Sequence, residues 1–76
     1  MDNHQTLLNL INRIRTFSSK PKLDRISGDQ ILQNDLQLDS LDLAELTVNL
    51  EAKYGVDIFQ SGIVTTVQDV LNKLPK

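Results

Sequence analysis

Seventy-six residues bound the chain to a single small domain over residues 1–76, near the size at which one apolar core is barely sufficient. With no cysteine there is no disulfide, thiolate metal site or thiol nucleophile, and the lone His4 near the N-terminus argues against a histidine metal site or a Ser/His pair. The net charge of -2 is unevenly spread: residues 1–28 carry +3, residues 29–57 carry -6 and residues 58–76 carry +1, so acid gathers around Ser40 and argues against a nucleic-acid reader.

Leu7, Leu8, Leu10, Ile11, Ile14 and Phe17 recur at the spacing of one face of an amphipathic helix over residues 4–17. Asn3 or Thr6 is positioned to cap it, and Pro21 biases its predecessor away from helical geometry, so an end by Ser18-Ser19 is expected. Residues 18–39 show no sustained helical period, yet they carry Leu23, Ile26, Ile31, Leu32, Leu36 and Leu38. Six aliphatics predict a loop pinned over the core, with one short turn of helix near Asp29 to Gln33. Its length allows it to run back along a helix and set Ser40 beside the start of the first one.

A second helix is predicted from Ser40 to about Tyr54. Asp39 can cap it by accepting a backbone N–H, and Asp42, three residues on, suits the positive helix end. At about 100° per residue, Leu43, Leu46, Thr47, Leu50 and Tyr54 share a core face. Leu41, Ala44, Val48 and Ala52 form a second stripe on roughly the opposite side, bordered by Glu45 and Glu51. Two readings of that stripe stand open: aliphatics tucked under the loop or merely tolerated at the surface, or a partner-binding stripe whose acids set orientation.

Gly55 is placed to end this helix in left-handed geometry. Val56 to Phe59 alternates weakly but has no obvious partner strand, and Gln60-Ser61-Gly62 reads as a turn. The last helix begins at Thr65 or Thr66, where Thr66 with Asp69 or Thr65 with Gln68 can form a capping box. Val67, Val70, Leu71 and Leu74 supply its inner face. The expected fold class is therefore all-α, a bundle of three main helices plus short pieces with a long first connection. No apolar run is long enough to span a membrane and the N-terminus lacks a secretory signal, so a soluble, cytoplasmic protein with no membrane association is expected.

A catalytic serine needs a base and oxyanion donors, and neither is in evidence for Ser40. G-x-S-x-G is missing, no histidine follows Ser40, and Leu38 stands where the Gly-Asp-Ser-Leu hydrolases have glycine. A non-enzymatic role follows. A helix N-terminus does favour a phosphoester by about 0.3–1 kcal/mol, but Asp39 and Asp42 oppose it, so a covalent link would be needed.

The run Asp35-Leu36-Gln37-Leu38-Asp39-Ser40-Leu41-Asp42-Leu43-Ala44-Glu45-Leu46, continued through Leu50-Glu51 to Tyr54-Gly55-Val56-Asp57-Ile58, resembles an acyl carrier protein, and Thr65-Thr66-Val67-Gln68 matches the start of that family's last helix. The resemblance implies an acyl-carrier-like bundle whose third helix is short or irregular. It implies that Ser40 is esterified with 4'-phosphopantetheine, taken from coenzyme A by a magnesium-dependent phosphopantetheinyl transferase, and that the arm's thiol holds acyl groups as thioesters. Asp39 and Leu41 match the residues flanking the attachment serine. Leu41, Ala44, Glu45, Val48 and Glu51, together with Asp42, are implied to face partner enzymes, which favours recognition as the role of the second stripe. The implied partners are the transferase, an acyl-loading ligase or acyltransferase, and synthases or other acyl-processing enzymes of fatty-acid, polyketide or related biosynthesis, with the carrier a monomer.

Three departures from the family pattern carry expectations of their own. Gln37 replaces a common glycine, so a locally different turn before the serine is expected, and Phe59 replaces a frequent proline. Phe59 to Val64 is shorter than in fatty-acid carriers and lacks their acidic third helix, which points to one irregular turn there and to a dedicated secondary-metabolite or polyketide pathway. The competing readings are a peptidyl or aminoacyl carrier, which favours histidine rather than Asp39 before the serine, and an unmodified helical interaction module using the Leu41/Val48 stripe.

Overall fold

Helix α1 (Asn3–Phe17) begins where the Asp2 carboxylate accepts the His4 N–H at 3.0 Å, so the cap is Asp2 and not Asn3 or Thr6. The structure, a computed structural model, describes residues 2–60 and 62–75; Ser61, the centre of the turn expected at Gln60-Ser61-Gly62, lies outside them. Helix α2 (Ser40–Tyr54) starts at Asp39 and ends on Gly55, whose φ of 71° is the left-handed geometry that glycine adopts without strain. Helix α3 (Val67–Lys73) starts at Thr66, and of the two expected capping boxes it forms the one between Thr66 and Asp69. The Thr66 and Thr65 N–H groups both donate to the Asp69 carboxylate, at 3.0 and 2.9 Å, and hold it below the ordinary aspartate range. Three helices and no strand are found among the described residues, so the fold is all-α; the pairing closest to a sheet is a lone antiparallel bridge between Ile31 and Thr66. Ile58 to Gln60 make a single turn rather than a helix.

Helix α1 packs against both other helices. Its first residue meets the far ends of both: the Tyr54 hydroxyl donates to Asn3 Oδ1 (3.1 Å), and Asn3 Nδ2 donates to the Pro75 carbonyl (2.7 Å). At the other end, Ser18 meets Asp42 at the start of α2. Helix α1 is therefore antiparallel to α2 and α3. This overturns the expectation that Ser40 lies beside the start of α1; it lies beside its end.

The loop explains the reversal. Residues 18–39 do not run the length of a helix but cross one end of the bundle, over the start of α3, and return to the end they left. There they satisfy amide groups that every helix start leaves open. The carbonyls of Gln30 and Gly28 accept the Val67 and Gln68 N–H groups (3.0 and 2.9 Å), and the Leu32 N–H donates to the Thr65 carbonyl (2.9 Å). A Cβ on Gly28 would stand 2.8 Å from the Gln68 side-chain oxygen, so glycine permits this close approach. The expected turn forms two residues later than Asp29 to Gln33, with the Asp35 N–H donating to the Ile31 carbonyl (2.8 Å) and the Asp35 carboxylate accepting the Ile31 N–H (2.7 Å). Asp35 sets that position by closing both ends of the turn.

One core collects Leu7, Ile11 and Ile14 of α1, Leu46 and Leu50 of α2, Val67 and Val70 of α3, and Ile26, Leu32, Leu36 and Leu38 of the loop. Removing a Leu or Ile from water contributes about 1.5–3 kcal/mol, so the loop aliphatics are as much a part of the fold as the helices. Phe17, expected on the buried face, is 81% exposed. It lies one turn past Ile14, where α2 is only beginning and no second helix covers it. Arg15 is the buried residue of that last turn.

Candidate functional site

The approach to Ser40 is held by two cations from the end of α1. Arg15 is only 5% exposed, and its guanidinium donates to the Leu36 carbonyl (2.6 Å) and the Pro21 carbonyl (2.9 Å), tying the outgoing and returning strands of the loop together. Lys20 donates to the Gln37 carbonyl and pairs with Asp42 at 3.5 Å. Between these anchors Gln37 adopts φ of 57°, so the turn keeps a left-handed residue although the side chain is not glycine.

Ser40 then opens α2. Asp39 Oδ1 accepts the Asp42 N–H at 2.8 Å, and Asp42 Oδ2 accepts the Asp39 N–H at 3.3 Å, a reciprocal capping box across the serine. Asp42 Oδ1 also accepts the Ser18 hydroxyl (3.0 Å), which locks the end of α1 to the start of α2. Burial pushes the Asp42 carboxyl upward, but the Asp39 N–H, the Ser18 hydroxyl and the Lys20 ammonium together outweigh it and hold the group below the ordinary aspartate range. Asp42 is 6% exposed with its oxygens engaged, so its assignment to the partner-facing surface is corrected. A carboxylate that caps its own helix and joins two helices is not available to another molecule.

The serine itself is left open. Ser40 is exposed, and its hydroxyl makes no hydrogen bond to a described residue. Its nearest acids are engaged as caps, and among the described residues no base lies within hydrogen-bond reach, so the geometry offers a nucleophile for another enzyme to use rather than a catalytic pair. Next to it, Leu41 is 78% exposed and lines a hollow of roughly 270 Å³ with Phe17, Ser18, Asp42 and Glu45.

The second stripe of α2 is uncovered. Val48 is 65% exposed, and Ala44, Ala52, Glu45 and Glu51 are exposed with it, so the loop does not shelter this face. The opposite face is core: Leu46 and Leu50 are fully buried, and Leu43, Thr47 and Tyr54 half-buried.

Sequence reasoning missed Arg15, Ser18 and Lys20. Arg15 had a readable signal, because on the α1 wheel it falls between Ile11 and Leu8, inside the apolar stripe, where a cation demands partners. Ser18 and Lys20 had none, since their partners lie 24 and 22 residues away. Among the described residues no three His, Asp or Glu side chains are placed to hold a metal, and no helix is long and apolar enough to cross a membrane.

The model of one protein family, described as a phosphopantetheine attachment site, matches residues 5–74. No solved structure matches the chain.

Proposed function

The chain belongs to the phosphopantetheine-attachment family and is a phosphopantetheine carrier protein; on that premise we propose that Ser40 is the attachment point and that the cargo is an acyl group of a polyketide or related biosynthetic pathway. The observation that carries the attachment is the exposed Ser40 hydroxyl, without a hydrogen bond to any described residue, at the first residue of a 15-residue helix whose cap is locked to α1. The group this family carries is covalently bound 4'-phosphopantetheine, whose terminal thiol, when present, holds acyl groups as thioesters. The site fits such a group: the oxygen to be esterified points to solvent, and the amide groups at the start of α2 favour a phosphodiester against the opposing charge of Asp39.

Each neighbour has a part in this reading. Ser40 Oγ would hold the group as a phosphodiester, its proton passing to the transferase and the nucleotide portion of coenzyme A departing as the leaving group. Asp39 and Asp42 keep the serine at a fixed place on a rigid helix start, and Arg15 and Lys20 hold the preceding turn. Exposed Leu41, Ala44 and Val48, flanked by Glu45 and Glu51, suit partner enzymes with an apolar patch rimmed by basic residues. Acyl rather than peptidyl cargo is supported by Asp39 before the serine. The absence of acidic residues from Phe59 to Val64 supports a dedicated pathway rather than bulk fatty-acid synthesis.

The test is incubation with coenzyme A, magnesium and a promiscuous phosphopantetheinyl transferase, read by intact mass. One added arm on the wild type and none on Ser40→Ala is expected. No addition under conditions that load a control carrier overturns the assignment, and an adduct that persists in Ser40→Ala relocates it.

A further inference from the structure

Resting on Ser40 as the attachment point, we propose that the groove between α1 and the first stretch of the loop is a docking site for an anionic cargo on the arm, and that the cargo class it fits is a carboxylate-terminated acyl thioester. The groove has a volume of roughly 630 Å³ and is lined by Asn9, Asn12, Arg13, Thr16, Phe17 and Lys22. It is on a different face from the α2 stripe and has a different chemistry.

Its polar inventory leaves two cations unspent. Both ends of the Asn12 amide are consumed by Leu23, donating to its carbonyl (2.9 Å) and accepting its N–H (2.7 Å). The Thr16 hydroxyl donates to the Asn12 carbonyl, and Asn9 Oδ1 accepts from Gln5. The Arg13 and Lys22 side chains make no hydrogen bond or ion pair with any described residue, and none of the described residues lining the groove is a carboxylate. Lys22 is also held in register, because its two neighbours are pinned, Pro21 by Arg15 and Leu23 by Asn12. Phe17 is four residues after Arg13 and so on the same helix face, and its exposed ring supplies an apolar wall beside the two cations.

Position selects the arm as the source of the anion. Phe17 borders both this groove and the smaller hollow with Leu41, so a continuous surface leads from the residue after Ser40 to the two cations. Ser18 touches Asp42, and Arg13 lies about 7.5 Å down the helix axis from Ser18 at 1.5 Å per residue. A phosphopantetheine arm has about the reach of five extended residues, ~17 Å. Two exposed cations alone would bind a free carboxylate weakly. Tethering changes the arithmetic, because a group on a short flexible arm sees the site at an effective concentration on the order of millimolar, enough to populate a millimolar site about half the time. An uncharged acyl group would gain only the Phe17 contact.

The test compares two loads of equal length. The protein is loaded on Ser40 from succinyl-coenzyme A or butyryl-coenzyme A by the transferase, each adduct is confirmed by intact mass, and amide nitrogen–proton spectra are recorded. The succinyl form is expected to shift Arg13, Thr16, Phe17 and Lys22 relative to the butyryl form. The difference should vanish in 0.5 M salt and in the exposed double variant Arg13→Gln/Lys22→Gln. Coincident spectra at these residues, or differences confined to Ser40 to Glu45, overturn the docking site while leaving the attachment intact. Failure of both loads overturns the attachment and the docking site together. Shifts in the groove that arise only when an acidic partner protein is added would assign the groove to that partner and overturn the proposal.

Discussion

Replacing Gln37 by glycine is expected to stabilise the protein by about 0.5–1 kcal/mol. Gln37 has φ of 57°, a conformation that costs a residue with a Cβ roughly 1–2 kcal/mol. Glycine removes that cost but gains freedom in the unfolded chain, which returns about 0.4–1 kcal/mol. Nothing else changes sides: the Gln37 side chain is exposed, and the contact this residue makes, its carbonyl accepting from Lys20, is kept by glycine. With a urea dependence of about 1 kcal/mol per molar for a domain this small, the midpoint should rise by roughly 0.5–1 M with an unchanged slope. Gln37→Ala is the control, because alanine keeps the strain and should remain within about 0.5 kcal/mol of wild type. A lower midpoint for Gln37→Gly, or an equal rise for Gln37→Ala, would refute the claim that backbone strain is stored in the turn before Ser40.

Arg15→Met should destabilise by about 2–4 kcal/mol in urea unfolding, since two charge-assisted bonds to the Leu36 and Pro21 carbonyls are lost while only the cost of burying the cation is relieved; a change under 1 kcal/mol would remove Arg15 as the clamp of the loop. Asp42→Asn should cost about 1–2 kcal/mol at neutral pH through its cap and its links to Ser18 and Lys20. Because the folded Asp42 carboxyl sits below its ordinary value, its ionised form stabilises the protein above about pH 4 and that contribution is lost as pH falls further. Unfolding measured from pH 6 to pH 2 should therefore fall less steeply for Asp42→Asn than for wild type, and parallel curves would contradict the assignment. Val48→Glu should change stability by less than about 0.5 kcal/mol, because the side chain is 65% exposed; a large loss would mean that the α2 stripe is covered after all.

The sequence alone determined the elements that depend on near neighbours. Apart from Phe17 at the end of the α1 stripe, the helix periods, the Asp39 and Thr66 caps, the Gly55 stop and the two faces of α2 follow from side chains within a few residues of one another, and each is found where the spacing puts it. Ser40 was legible as a candidate for the same reason: it opens a helix beside a self-contained capping box. Tertiary structure decided the rest. That α1 runs antiparallel to α2, that the loop crosses the bundle end, that Phe17 is exposed and that Asp42 is withdrawn from the surface all depend on partners more than 20 residues apart, such as Ser18 with Asp42 and Arg15 with Leu36. Local spacing places a residue on a face of its own helix. What covers that face, and which carboxylate is consumed in holding two helices together, is decided by chain brought in from a distance.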